Sequence, residues 1–198
     1  MGLDFSYRLF FPSTRRFEVL ERLAEMAEPD LEKGTWLVFP DRVLALPFEA
    51  WLDTSSRLNW DEPSSKWDFM TVLRFALDPE IIAYLERQRH PRLAEKLQAA
   101  LDAPPGSDRN VGIGYIYLSI DRQPEAGDGL VLFQFDTPGT TMSILFVESQ
   151  SIRQAFIQVL ESCQGLYGIL DMEDSAELIW WKGQEMSTRL PHAYLSFV

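Results

Sequence analysis

Strand-like segments in this sequence come in adjacent pairs, not one at a time between helices. Thr35 to Phe39 and Val43 to Phe48 flank Pro40-Asp41-Arg42, and Leu166 to Leu170 and Glu177 to Trp181 flank Asp171-Met172-Glu173-Asp174-Ser175. Val111 to Asp121 and Leu130 to Asp136 flank a turn carrying Pro124, Gly127 and Gly129. Neighbours of this kind read as hairpins, which build antiparallel sheets. A doubly wound parallel sheet needs a helix between successive strands, so this order argues against it. The expected class is α+β, a mostly antiparallel sheet with three to four helices packed on it.

The helices are announced by their caps and periods. Phe17, Leu20, Leu23, Ala24 and Ala27 recur at three- and four-residue steps after Pro12-Ser13-Thr14, where Ser13 or Thr14 is the expected cap and Pro29 the stop. Asp78-Pro79-Glu80 combines a capping carboxylate, a proline at the first helical position and an acid at the positive helix end. His90-Pro91 then marks a break before a helix bearing Leu93, Ala94, Leu97, Ala100 and Leu101. Ser149 or Ser151 caps the last helix, whose face holds Ile152, Phe156, Val159, Leu160 and Cys163, with Gly165 at its end. Phe5 to Phe11, Trp67 to Phe75 and Met142 to Val147 complete the strand expectations, and the tail from Met186 is expected to be partly irregular.

Two further organisational readings follow. The 198 residues suit one α+β domain, with a possible subdivision at the Pro/Gly linker 103–107. Ser6 to Ser13 and Ser143 to Ser149 each lead into a helix followed by two short strands, so an internal β-α-β-β duplication is one reading and chance similarity the other.

Charge narrows function. Lys and Arg total 18 against 30 Asp and Glu, a net of −12. Nucleic acid and anionic membranes both need a cationic footprint, so neither is an expected partner. No apolar run approaches the ~20 residues of a membrane helix, and a cytoplasmic location is expected. Residues 101–198 hold 5 basic and 13 acidic side chains, against 13 and 17 in residues 1–100. An acidic face on the second half is therefore expected.

Catalytic constellations do not assemble. One Cys and two His leave no thiolate or histidine set for a metal. Cys163 falls on an apolar helix face and reads as packing; His90 and His192 each lie beside a proline without an identifiable partner. Gly112-Ile113-Gly114 lies within a strand and lacks the third glycine of a dinucleotide loop, so small residues relieving crowding is the simpler reading. Asp171, Glu173 and Asp174, and likewise Asp121, Glu125 and Asp128, crowd expected turns without the spacing of a calcium loop. Solvated turns are the simpler reading. No catalytic residue, metal or cofactor is assigned.

Aromatic residues reach 13%, and Trp51, Trp60 and Trp67 sit in or beside one irregular segment. That segment either folds over the core as a lid or presents anchors to a partner. Trp180 and Trp181 are strand neighbours and must face opposite sides. The preferred function is a non-enzymatic protein-binding module, immunity-type or regulatory, that recognises a basic partner. Its candidate contact residues are Trp51, Trp60, Trp67, Asp171, Glu173, Asp174 and Trp181. The alternative is a small-molecule-binding protein or carboxylate-dependent enzyme with a pocket under the Trp51–Trp67 loop.

Met1 to Ser6, Gly112 to Leu118, and Phe146 to Arg153 together with Trp180 resemble a family of bacterial cytoplasmic proteins with no assigned activity. The resemblance runs over most of the chain. It implies a bacterial cytoplasmic setting and adds nothing to mechanism.

Overall fold

A computed structural model describes residues 3–28, 34–51, 57–61, 66–104, 106–122 and 129–191. The expected stop at Pro29, much of the segment after Trp51, the acids Glu125 and Asp128, and His192 lie outside the described residues.

Among the described residues, thirteen strands and five α-helices follow in the order β1 (Ser6–Pro12), α1 (Arg16–Met26), β2 (Thr35–Val38), β3 (Val43–Leu46), β4 (Glu49–Ala50), β5 (Arg57–Asn59), β6 (Lys66–Thr71), β7 (Arg74–Phe75), α2 (Pro79–Arg87), α3 (Pro91–Asp102), β8 (Val111–Gly112), β9 (Ile116–Asp121), β10 (Leu130–Asp136), α4 (Thr140–Glu148), α5 (Gln150–Ser162), β11 (Tyr167–Asp171), β12 (Ser175–Trp181) and β13 (Gln184–Pro191). Eight strands form one sheet in the order β13-β12-β11-β1-β10-β9-β6-β4, with every neighbouring pair antiparallel. The first strand lies between β10 and β11, so segments before and after residues 103–107 interleave in one sheet. A small sheet, β3-β2-β5, holds the expected hairpin plus one parallel strand.

The helices pack on one side of the large sheet. Alternation along β1 sends Tyr7, Leu9 and Phe11 to that side, where all three are fully buried. Phe156 of α5 is the hub there, with ring centroids 4.5 Å from Tyr7, 4.7 Å from Phe135 and 5.9 Å from Phe75. The Tyr7 hydroxyl donates to the Phe146 carbonyl of α4 at 2.9 Å. Arg153 of α5 reaches the outer strands, pairing with Glu177 at 2.8 Å and donating to the Met186 carbonyl at 2.9 Å.

Several expectations are corrected. The described residues form five α-helices, not three to four, because Met142 to Val147 is helical and not a strand. That segment is apolar almost throughout, so composition alone fits either state; Met142, Leu145 and Phe146 meet the core at helical spacing. The second half of the supposed duplication thus opens with a helix, and the described residues do not confirm a repeated β-α-β-β unit. Neither Ser13 nor Thr14 caps α1; a three-residue 3-10 turn precedes it, and the capping position is Arg15 without a side-chain bond. As far as Pro191 the tail is an edge strand, β13, and residues 192–198 lie outside the described residues. Its polar, exposed side chains carry little hydrophobic pattern to read.

Other local readings agree with the structure. Asp78 accepts from the Ile81 amide at 2.8 Å and starts α2. Ser149 accepts from the Ile152 amide at 3.1 Å and starts α5. A methyl group on Gly112 would stand 2.3 Å from the Glu28 Oε1 and 2.7 Å from Val72, which is the expected crowding, but Val111 to Asp121 is not one strand: it divides into β8 and β9 in different sheets, with Gly114 between them at φ +118°.

Candidate functional site

The opposite side of the large sheet carries no helix among the described residues. Its residues follow from register. One row across the strands reads Asp171, Ser6, Asp136, Tyr117, Met70. The next reads Ile169, Arg8, Gln134, Ser119, Asp68, and a third reads Tyr167, Phe10, Leu132, Asp121, Lys66. Asp4 and Glu173 stand where β1 and β11 end, with the Asp4 amide donating to Glu173 Oε1 at 2.8 Å. Carboxylates on this face (Asp4, Asp68, Asp121, Asp136, Asp171 and Glu173) thus outnumber its cations, Arg8, Lys66 and, over the Trp181 ring, Lys182.

The face has a polar centre and two aromatic flanks. In the centre Arg8 pairs with Asp171 at 2.9 Å. Gln134 donates to both Asp136 oxygens at 2.8 and 3.1 Å. Burial pushes the Asp136 carboxyl above its ordinary range and the charge of Asp4 adds to this, while the Gln134 bond, Arg8 and Lys66 pull the other way. On one flank, Phe10 stacks on Tyr167 at 4.4 Å, and Tyr167 meets Trp181 at 5.9 Å. Ile169, Ala176, Leu132, Leu178 and Leu190 pack around Phe10. On the other flank Trp51 meets Tyr117 at 4.7 Å with the ring planes at 86°.

Trp51, Asp171, Glu173 and Trp181, separated in sequence, are brought to this one face. Trp51 is 47% exposed and Trp181 45%. Six strand spacings of ~4.8 Å separate them, a span of about 29 Å. Asp174 is exposed in the turn between β11 and β12. Trp60 and Trp67 are not brought there. They are 9% and 7% exposed and lie in the core beneath the sheet. Trp67 is on the inward alternation of β6, its ring 4.8 Å from that of Trp60, which stacks on Phe39 at 4.9 Å. A partner on the open face cannot reach either ring. The parity of Trp67 with inward Phe69 was the available signal; no local pattern marks Trp60. Sequence reasoning also missed Asp68, Asp136, Arg8 and Tyr117, whose neighbours in space lie on other strands.

The remaining chemistry is quiet. Cys163 is buried and burial raises its thiol above the usual range, which suits packing and not nucleophilic attack. His90 is exposed at the start of α3. No group of three or more His, Cys, Asp or Glu able to hold a metal occurs among the described residues. A cavity of about 280 Å³ beside α5 includes Arg22 and Arg74 in its lining. Both are engaged, Arg22 with Glu25 at 2.9 Å and Arg74 with Asp108 at 2.8 Å. Among the described residues no helix is long and apolar enough to cross a membrane.

No protein-family model, curated protein or solved structure matches this chain. No residue role is therefore carried over from a relative.

Proposed function

We propose that this protein is a non-enzymatic protein-binding module, immunity-type or regulatory, whose helix-free sheet face receives a basic partner. The observation that supports this reading is the composition of that face, an excess of carboxylates between two half-exposed tryptophans. Carboxylates steer a cationic partner and set its register, and exposed aromatic rings at the flanks supply contact area at low entropic cost. Phe10 itself is fully buried, and the partly exposed Leu132, Tyr167, Leu178 and Leu190 around it add apolar surface that excludes water.

The test compares two variants of equal charge change. Asp68→Asn with Asp121→Asn and Asp136→Asn neutralises the open face. Glu21→Gln with Glu86→Gln and Glu148→Gln neutralises the exposed helical side. Binding of a labelled Arg/Lys-rich peptide is followed by fluorescence anisotropy at low and moderate salt. The expected result is a loss of about tenfold or more for the open-face variant, little change for the helical one, and weakening by salt. Equal losses in both variants, or no binding by the parent protein, overturn the reading.

The alternative, a small-molecule protein or carboxylate-dependent enzyme, has one observation in its favour, a cavity of about 380 Å³ beside Trp51. That cavity has a single carboxylate in its lining, Asp68, whereas acid–base work on a sugar or similar substrate needs two.

A further inference from the structure

We infer that the corner between Trp51 and Tyr117 is a binding site for one organic cation, the guanidinium or ammonium end of a basic side chain on the partner. The inference rests on the open face being the partner surface, and it names what that surface grips.

The corner is built by register. The Trp51 amide donates to the Asp68 carbonyl at 2.9 Å, extending the β4–β6 pairing by one residue. Trp51 is thereby fixed beside Asp68, and Asp68 stands across from Ser119 on β9. Tyr117 lies two residues before Ser119, on the same side of the same strand. Trp51, Asp68, Phe69, Tyr117 and Ser119 line a cavity of about 380 Å³ that opens on the acidic face. The volume is within the range of small-ligand sites.

Its chemistry selects positive charge. The two rings meet at 86° and wall the cavity with π surface, whose negative faces attract a cation. Asp68 supplies the countercharge. The Ser119 hydroxyl donates to its Oδ1, and among the described residues no hydrogen bond reaches Oδ2. Lys66 approaches Oδ1 only to 3.8 Å, and it also faces Asp121 across the β6–β9 pair.

The other tryptophans near cations make a contrast. Arg122 lies over Trp67 at 4.4 Å and over Trp60 at 5.6 Å, and Lys182 lies over Trp181 at 5.2 Å. Neither Trp51 nor Tyr117 carries a stacked cation from this chain among the described residues. The corner holds rings and a carboxylate arranged for a cation that the chain itself does not place over the rings. A partner's side chain is favoured over a free amine because the acidic rows continue from the corner. Asp121 and Asp136 can engage neighbouring charges of a chain but not of a small molecule.

The experiment uses the intact, isotope-labelled protein. The indole signal of Trp51 is identified by its loss in Trp51→Phe and followed while N-acetyl-arginine amide, its neutral isostere N-acetyl-citrulline amide, or tetramethylammonium is added. Arginine amide is expected to shift the signal saturably and citrulline amide to bind at least about tenfold more weakly, as loss of a charge–aromatic and charge-assisted contact implies. Asp68→Asn is expected to weaken arginine amide by about fivefold or more while the ligand-free spectrum is kept; Tyr117→Leu is the second variant if Asp68→Asn perturbs the fold. Equal shifts by the neutral isostere, or no effect of either variant, overturn the inference. Tetramethylammonium binding more tightly than an Arg/Lys-rich peptide also overturns it, in favour of a free small amine. If that peptide binds the parent and Asp68→Asn alike, the open-face reading stands and the corner assignment falls. If arginine amide saturates the corner but no basic peptide binds, the corner stands and the open-face reading falls.

Discussion

Asp78 shows how one carboxylate can hold two elements. It caps α2 through the Ile81 amide, and its other oxygen receives the Ser149 hydroxyl at 2.7 Å and the Ser151 amide at 3.0 Å at the start of α5. Burial works against its charge, but these bonds outweigh burial and hold the carboxyl below its ordinary value. Asp78→Ala removes support from two helix starts and should cost about 2 kcal/mol in urea unfolding, roughly one cap each. The sign of its pH dependence follows from a depressed folded pKa. Its contribution is complete above the ordinary carboxylate range and is lost as pH falls through the folded value. Asp136 is the opposite case. With its folded pKa raised, chiefly by burial, the native state holds the proton more tightly than the unfolded chain, so stability falls as pH rises through that window. Asp136→Asn should therefore melt at a higher temperature than the parent at neutral pH, by thermal unfolding. The gain should vanish at acid pH, where the parent is protonated in both states.

At the scale of elements, α5 ties the sheet together. Its Ile152, Phe156, Val159 and Leu160 are fully buried against the inward alternation of the strands, and Arg153 anchors β12 and β13 through Glu177 and the Met186 carbonyl. Gly165 lets the chain turn tightly out of this helix; a methyl group there would stand 2.4 Å from the Leu160 Cδ2 and 3.1 Å from its Cα. Phe156→Ala should cost about 3–5 kcal/mol, measured by denaturant titration, because four aromatic neighbours cannot collapse into the space at once. The helix was legible because its cap, its apolar face and its last turn lie within fifteen consecutive residues. The helix α4 was not. Its residues are apolar on most sides, and only the packing of Met142, Leu145 and Phe146 decides between strand and helix. The edge strand β13 was missed for the reverse reason, since pairing to β12 holds it and its own side chains are mostly exposed.

For the whole molecule, the charge of −12 is not simply the property of one half. Composition placed most of the excess after residue 100, yet Asp4 and Asp68 from the first half join Asp121, Asp136, Asp171 and Glu173 on the same face. Because β1 sits between β10 and β11, the acidic rows cross segments far apart in sequence. Association of a basic partner with this face should slow as salt is added, since steering over a surface is screened within about 10 Å at 0.1 M. Stopped-flow measurement of the peptide association rate checks this: a rate unchanged between low and moderate salt would leave the acidic face without a steering role.

The sequence by itself determined the α+β class, the antiparallel hairpins, the starts of α2 and α5, the burial of Cys163 and the opposite facing of Trp180 and Trp181. Each is set by residues close together along the chain, through capping, turn chemistry or the two-residue period of a strand. Only the tertiary structure decided that all described helices leave one sheet face open, that Trp60 and Trp67 belong to the core while Trp51 does not, and that Trp51 meets Tyr117 and Asp68. Those facts depend on which strands pair and in what register. Register across the eight strands is fixed by burial of the whole inward face at once, not by any local pattern.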